Sequence, residues 1–218
     1  TDLQAAPRFY CNTVDMGALE RSNGKGRINR QKAIQLNGGS YVDIGNPISS
    51  EFVGKSFTVE AWINMTAYDG GATVTETILG NLDGGTGLNF GLVGAADLPN
   101  QGKLVLNVGG TRTIGSSVIP VGEWTHVAAT LTDDATNTVT LDVNGKVEAT
   151  NTAASDVTST TANTFIGYDN DNTNPINAQL EEVRIWSDVR TMEEIQMNKR
   201  LLLLCGATDI LATYEFND

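Results

Sequence analysis

The stretch from residue 176 to residue 200 constrains the fold more than any other part of the sequence. Residues 178–186 largely alternate apolar with polar side chains, which is the pattern of a strand. Thr191 and Glu194 then have the spacing of a capping box, and Ile195 follows as the first apolar position of a short helix. The sequence shows no other convincing helix pattern. One short helix after many strands is typical of a two-sheet sandwich whose helix covers an edge or a face.

The rest of the sequence indicates short strands separated by turns. Residues 57–65 alternate regularly, and residues 138–143 repeat the pattern before Asn144-Gly145, the strongest short hairpin signal. Further strands are predicted at residues 34–36, 41–44, 77–80, 88–93, 104–108, 125–132, 164–168 and 210–216. We therefore predict an all-β chain, a two-sheet antiparallel jelly-roll sandwich with one short helix in the C-terminal region, forming a single domain over residues 1–218.

The charge of the chain limits its partners. With 14 Lys and Arg against 26 Asp and Glu, the formal net charge is -12. Nucleic-acid phosphates and anionic membrane surfaces would be repelled, whereas divalent cations would not. Spanning a bilayer needs about 20 consecutive apolar residues, and residues 201–204 form only a brief apolar run. We therefore expect no nucleic-acid partner and no membrane insertion.

The composition favours a secreted protein. Charged residues make up 18% of the chain, against roughly 25% in an average soluble protein. The chain begins Thr1-Asp2-Leu3 without Met, as a processed form would. The expected location is extracellular or at the cell surface.

Several motifs, in their order along the chain, carry a family resemblance. They are residues 33–42, residues 57–63, Trp124-Thr125-His126-Val127-Ala128, the Asn144-Gly145 hairpin and residues 180–186. Together they resemble laminin-G-like jelly rolls, an architecture that pentraxins share, and residues 8–10 and 213–216 resemble the terminal strands. The resemblance spans nearly the whole chain and implies a concanavalin A-like fold. Functions in this group include glycan binding, protein binding, adhesion and, in related sandwiches, polysaccharide cleavage.

The two cysteines lie near opposite ends of the chain. In jelly-roll sandwiches the terminal strands are commonly neighbours, so Cys11 and Cys205 are predicted to form a disulfide. The alternative is a pair of buried, unreactive thiols.

The loop after residues 165–168 is rich in oxygen ligands. Asp169, Asn170 and Asp171 begin a run of carboxylate and amide side chains, and pentraxins carry a similar calcium-binding cluster after the corresponding strand. The resemblance implies calcium as a possible cofactor, with Asn81 or Asp83 as a facing contribution. The alternative is a solvated turn, since Asp and Asn favour turns for backbone reasons.

A second candidate site is a set of polar and aromatic side chains that share the outward faces of three strands. An open platform of this kind would stack on a sugar ring; its members are Glu60, Trp62, Trp124, His126, Arg184 and Trp186. The alternative is that the helix and the terminal segments cover this face and form a second small core.

Signals for catalysis are weak. His126 has no nucleophile elbow around it, and the alternating carboxylate run of sandwich glycanases is missing. Glu181 and Glu182 are adjacent, so a regular strand would place them on opposite sides. We therefore predict that the chain is not an enzyme.

The function predicted is a non-catalytic binding or adhesion module that recognises a glycan or an extracellular protein through rim loops. An alternative is a structural subunit that assembles into homo-oligomers or filaments through terminal or edge strands. A polysaccharide-degrading jelly roll is the weaker alternative.

Overall fold

The structure is a computed structural model that describes residues 8–10, 13–15, 33–45, 49–68, 75–95, 97–152, 155–170, 175–201 and 209–216. The strands of the larger sheet are β1 (Arg8–Tyr10), β2 (Thr13–Asp15), β3 (Ile34–Asn37), β5 (Phe57–Met65), β10 (Trp124–Thr132), β11 (Thr138–Val143), β12 (Lys146–Asn151), β14 (Asn177–Trp186) and β15 (Ile210–Tyr214). Those of the smaller sheet are β4 (Val42–Gly45), β6 (Thr75–Gly80), β7 (Leu88–Val93), β8 (Lys103–Val108), β9 (Thr111–Val118) and β13 (Thr164–Ile166). The helices are α1 (Ser49–Phe52) and α2 (Met192–Asn198).

The strands form a nine-stranded and a six-stranded sheet. The nine-stranded sheet has the order β1-β2-β15-β14-β5-β10-β11-β12, with β3 pairing to β14, and the six-stranded sheet has the order β4-β13-β6-β7-β8-β9. Neighbouring strands are antiparallel except β2 and β15, which pair in parallel at Val14 and Tyr214. The predicted two-sheet jelly-roll sandwich is confirmed.

The core lies between the two sheets and follows the two-residue period of the strands. On β5, Val59, Ala61 and Ile63 are fully buried in it, and Leu88 and Phe90 of β7 belong to the same core cluster. Burying one such Val, Leu, Ile or Phe side chain contributes about 1.5–3 kcal/mol. Residues that alternate with these on each strand face away from the core, and they form the two outer faces.

The predicted Asn144-Gly145 hairpin is confirmed, and its turn also holds α2. Asn144 and Gly145 have φ angles of 56° and 86°, the left-handed values of a type I′ turn. Gln196 Nε2 donates to the Gly145 carbonyl oxygen at 2.6 Å, and Lys199 Nζ donates to that of Asn144 at 2.5 Å. The hairpin turn therefore positions the helix over the nine-stranded sheet.

The capping box at the start of α2 is also confirmed. The Glu194 amide donates to Thr191 Oγ1 at 3.2 Å, and the Thr191 amide donates to Glu194 Oε2 at 2.8 Å. Ile195 is buried beneath the helix. Neither α2 nor any other helix in the described ranges has the length and apolar character of a membrane span.

A bulge in β14 overturns the expectation that Glu181 and Glu182 lie on opposite sides of the strand. Glu181 pairs with Trp62 and Arg184 pairs with Glu60. These pairs are three residues apart on β14 but only two apart on β5, so β14 carries one extra residue. Glu182 has a φ of 52° and its carboxylate contacts Arg184. In a regular strand Glu182 would share a side with Arg184, and Glu181 would lie on the other side. The bulge brings Glu181 to the Arg184 side as well, because Glu181 pairs with Trp62 and Arg184 pairs with Glu60 on the same face of β5.

Three elements were not predicted from the sequence: strands β2 and β9 and helix α1. Strand β9 carries mostly polar residues at the edge of the six-stranded sheet, and α1 has only four residues, too few for a helical period. The disulfide predicted between Cys11 and Cys205 lies outside the described residues.

Candidate functional site

One row of residues crosses all six strands of the six-stranded sheet on its outer face. The pairing registers place the following residues next to one another, from β4 to β9: Asp43, Phe165, Gly80, Asn89, Asn107 and Arg112. Phe90 and Leu106, which alternate with members of this row, belong to the core. At a strand spacing of about 4.8 Å, the row is about 24 Å long.

The β7–β9 end of this row carries polar atoms without partners. In the part of the chain that the structure describes, no hydrogen bond reaches Oδ1 of Asn89, Oδ1 of Asn107, or Nε and Nη2 of Arg112. Asn89 Nδ2 donates to Thr77 Oγ1 at 2.8 Å, which fixes the amide. Arg112 Nη1 lies 4.0 Å from Asp97 Oδ2. Because buried polar atoms are costly without hydrogen bonds, this end of the row favours a polar ligand that supplies them.

The opposite end of the row carries an aromatic cluster of Tyr41, Phe165 and Tyr168. Tyr41 stacks on Tyr168 with ring centroids 5.2 Å apart, and it meets Phe165 edge to face at 5.3 Å. The Tyr41 side chain is 53% exposed. The outer face therefore combines amide, guanidinium and carboxylate groups with an exposed ring.

Asp169, the first residue of the acidic run predicted as a calcium site, lies on this same face. A Cβ on Gly80 would stand 2.9 Å from Asp169 Cβ, so Asp169 lies directly over the middle of the row. Asp169 is fully buried and its Oδ2 accepts from Thr77 Oγ1 at 3.3 Å. Asn170 is exposed and donates to the Asn163 carbonyl oxygen. The structure thus brings Asp169 next to the row.

The structure does not bring the other predicted calcium ligands that it describes into a shared site with Asp169. Asn81 Oδ1 accepts from the Leu88 amide at 2.9 Å, so this oxygen already stabilises the strand. Asp83 is exposed in a tight turn, paired with Thr86 through two backbone hydrogen bonds of 3.0 Å. Asp171 lies outside the described residues.

Across the described ranges, no three His, Cys, Asp or Glu side chains form a group that could hold a metal ion. Among the predicted ligands that the structure describes, the Asp169 carboxylate is of a type that Ca²⁺ prefers, whereas Asn81 does not fit because its side-chain oxygen already accepts from the Leu88 amide.

The second predicted site, on the outer face of the nine-stranded sheet, is largely covered. Glu60, His126, Arg184 and Trp186 are each 1% exposed, and Trp62 is 3% exposed. Trp124 is only partly buried. The open-platform interpretation is corrected accordingly: α2 and the turn after it cover this face, and the side chains beneath them form the second small core that was the alternative.

These buried side chains bind the end of α2. Arg184 donates from Nη1 to the Asn198 carbonyl oxygen at 3.0 Å and from Nη2 to that of Leu201 at 2.6 Å. Trp62 Nε1 donates to the Lys199 carbonyl oxygen at 2.5 Å. A cation at a helix C-terminus is favourable because the last carbonyl groups carry partial negative charge. The cluster therefore anchors the helix.

Two buried carboxyl groups contact Arg184. Its Nη2 lies 2.8 Å from Glu182 Oε2, and its Nη1 lies 3.4 Å from Glu60 Oε1, which also accepts from Trp186 Nε1 at 3.0 Å. His126 Nε2 is 3.1 Å from the other Glu60 oxygen.

The environment moves the pKa values of the two carboxyls in opposite directions. Burial opposes ionisation of Glu60, but the contacts with His126 and Arg184 outweigh it and lower the pKa of Glu60 to about 2. Burial dominates at Glu182 and raises its pKa to about 7, despite the attraction of Arg184. In both carboxyls the side chain is buried, so neither lies in an open cleft where a substrate would meet it.

The row on the six-stranded sheet was missed from the sequence. Asn89 alternates with Leu88 and Phe90, and Asn107 alternates with Leu106 and Val108, inside strands that were predicted. Polar residues at the outward positions of predicted strands were therefore the available signal. Their neighbours across the sheet depend on register, which one sequence does not specify.

Comparison with protein-family models identifies the chain. A laminin-G-type model described as the concanavalin A-like lectin/glucanases superfamily matches residues 36–196. The chain belongs to this superfamily. A comparison with curated protein sequences gives no match.

Three solved structures show similar folds. A candidate carbohydrate-binding protein from Bacteroides ovatus has a TM-score of 0.66 and 23% identity over 84% of this chain, which spans about half (52%) of that protein. Domain 4 of AbnA, a GH43 extracellular arabinanase from Geobacillus stearothermophilus, solved with arabinotriose, has a TM-score of 0.57 and 20% identity over 81% of each chain. The native heptameric SAP-like pentraxin from Limulus polyphemus has a TM-score of 0.51 and 13% identity over 87% of this chain and 85% of its own. These identities show a shared fold.

Proposed function

We propose that this chain is a non-catalytic, extracellular glycan-binding module that binds its ligand on the outer face of the six-stranded sheet. One observation carries the proposal: the partly exposed Asn107 and Arg112 lie beside the buried Asn89 on three neighbouring strands, and each of the three has a polar atom without a partner in the described structure. Sugar hydroxyl groups both donate and accept hydrogen bonds, so they match amide oxygens and a guanidinium group.

The aromatic cluster supports the same ligand class. An exposed ring such as Tyr41 offers apolar surface for the C–H groups of a sugar ring and carries a hydroxyl of its own. Asn107 and Arg112 are partly exposed at one end of the row and Tyr41 is exposed near the other, with Asp169 over Gly80 between them, so the two ends offer separate contacts to a ligand. The fold is shared with a candidate carbohydrate-binding protein and with a domain solved with arabinotriose, which is consistent with this class.

The hydrogen bonds and ion pairs of the described carboxylates support a non-catalytic role. The carboxylates that the chain buries beneath α2, Glu60 and Glu182, are bound to Arg184. At the row, Asp43 accepts through Oδ1 from the Gly45 amide and through Oδ2 from Asn163. The other described carboxylate there, Asp169, is fully buried and accepts from Thr77 Oγ1. Glycosidic cleavage by the usual mechanism needs two carboxyl groups facing one bond.

The test is binding to a glycan array, followed by titration of the oligosaccharides that bind, with arabinotriose included. The proposal expects saturable binding without release of reducing ends. Absence of binding to every glycan, or steady release of reducing ends from a bound polysaccharide, would contradict it.

We further propose that Asp169 and Asp171 bind calcium, which would stabilise Asp169 in its position over the row. Asp169 contributes a carboxylate fixed by Thr77, and Asp171 is the second carboxylate of the loop sequence. Millimolar Ca²⁺ is expected to raise the Tm of the wild type and of the Asp83→Ala control, but not that of the Asp169→Ala/Asp171→Ala double variant. A Tm that Ca²⁺ leaves unchanged in the wild type would contradict the calcium site.

A further inference from the structure

A cavity of about 210 Å³ lies on the opposite side of the sandwich, between α2 and the outer face of the nine-stranded sheet. Its floor consists of two neighbouring cross-strand pairs of β10 and β11, Ala128 with Asp142 and Thr130 with Thr140. The remaining wall is mostly apolar and is formed by Val147, Val189, Arg190, Met192 and Ile195. The volume corresponds to about seven water molecules at ~30 Å³ each.

Two polar side chains that line this cavity, Asp142 and Arg190, each have one atom without a hydrogen-bond partner among the described residues. Asp142 is 3% exposed, and its Oδ1 accepts from the Gly145 amide at 2.7 Å. Its Oδ2 has no hydrogen-bond partner among the described residues. The same holds for Nε of Arg190, whose Nη1 and Nη2 pair with Asp188 at 3.2 Å and Glu194 at 3.3 Å. A buried carboxylate oxygen without a partner is costly, so a donor in the cavity would be stabilising.

The charges around the cavity argue against an ionic ligand. Asp188 and Glu194 already neutralise Arg190, so an anion would gain little from it. Asp142 accepts from the Gly145 amide and lies near the positive charge of Lys199, which would repel a cationic ligand. A neutral molecule with several hydroxyl groups can donate to Asp142 Oδ2, accept from Arg190 Nε and exchange hydrogen bonds with Thr130 and Thr140.

We infer that this cavity is a second ligand site, which binds one neutral sugar ring between α2 and the sheet. Ile195, Met192 and Val147 provide apolar surface for the ring, and the two threonines and Asp142 provide polar contacts on the floor. No residue of this site belongs to the row on the six-stranded sheet. The inference therefore stands or falls independently of the proposed function.

The test is titration of the full chain with D-glucose, D-galactose and L-arabinose, followed by amide NMR. At least one sugar is expected to cause saturable shifts at residues 142–145 and 189–195. Asp142→Asn and Thr140→Val each remove one proposed contact, and Asp142→Asn is expected to weaken binding about tenfold or more. Met197→Ala is the matched control, because Met197 lies on α2 but is 64% exposed and does not line the cavity.

Three outcomes would overturn the inference. The first is that none of the three sugars causes saturable shifts at these residues. The second is that both variants bind the sugar with the same affinity as the wild type. The third is that D-glucosamine or D-glucuronate binds and no neutral sugar does. Thr140→Val removes only one hydroxyl and nearly preserves the side-chain shape, so it keeps the test decisive if Asp142→Asn fails to fold.

Discussion

Glu60 and Arg184 lie 3.4 Å apart on neighbouring strands of the nine-stranded sheet, and each side chain is 1% exposed. This contact joins β5 and β14 on the face that α2 covers. Since Arg184 also binds the carbonyl groups at the end of α2, the ion pair links the helix to the sheet. The first prediction concerns this link.

Arg184→Met is expected to lower the free energy of unfolding by about 3–5 kcal/mol, because it leaves buried carboxylates without their cation. Urea denaturation measures the change. Lys55→Met is the matched control: Lys55 pairs with Glu51 at 3.0 Å on the surface, where the loss is about 1 kcal/mol or less. Equal losses in the two variants would contradict the role assigned to Arg184.

The raised pKa of Glu182 predicts a pH dependence of stability. The carboxyl has its ordinary pKa of 4.5 in the unfolded chain and about 7 in the folded protein. Between these values the folded state holds a proton that the unfolded chain releases, so the free energy of unfolding falls as pH rises. The contribution is fully present below pH 4.5 and is lost as pH rises through about 7.

Urea denaturation from pH 5 to pH 8 is expected to show this loss, at most about 3 kcal/mol. Glu182→Gln removes the titrating group and is expected to flatten the profile over that range. An unchanged slope in the variant would assign the pH dependence to other groups.

Thr191→Ala is expected to cost about 1 kcal/mol, because it removes the hydroxyl that accepts from the Glu194 amide at the start of α2. Thr191→Ser retains the oxygen and is expected to restore most of the stability. Thermal and urea unfolding distinguish the variants, and a Ser variant as unstable as the Ala variant would show that the cap contributes little.

Gly145→Ala is expected to destabilise the protein by about 1 kcal/mol or more, since L residues rarely adopt a φ of 86°. The added Cβ would also stand 2.5 Å from Gln196 Cγ, which displaces α2 from the hairpin. Gly39→Ala is the control, because an added Cβ there meets no atom within 4 Å. Equal stability of the two variants would contradict the docking of α2 on this turn.

Much of the fold could be predicted because local signals agree with the tertiary structure. The Asn144-Gly145 turn and the Thr191 capping box each depend on residues within four positions of one another, and both are confirmed. The alternation in β5 also predicted which side of that strand faces the core.

Features that depend on distant pairing could not be predicted in the same way. The bulge at Glu182 shifts one residue of β14 relative to β5, and the sequence around it reads as a regular strand. The row of Asn89, Asn107 and Arg112 exists because three strands align in one register. The three strands that each carry a Trp were predicted to form an open platform, but α2 covers most of their outer face.

The most direct test of the proposed glycan site uses calorimetric titration with an oligosaccharide identified on the glycan array. The proteins compared are the wild type, the Asn107→Ala/Arg112→Ala double variant and the control Lys146→Ala. Lys146 is exposed on β12 of the other sheet. Removal of two hydrogen-bonding side chains from the row is expected to weaken binding about tenfold or more, with Lys146→Ala unchanged. Wild-type affinity in a folded double variant would contradict glycan binding on the outer face of the six-stranded sheet.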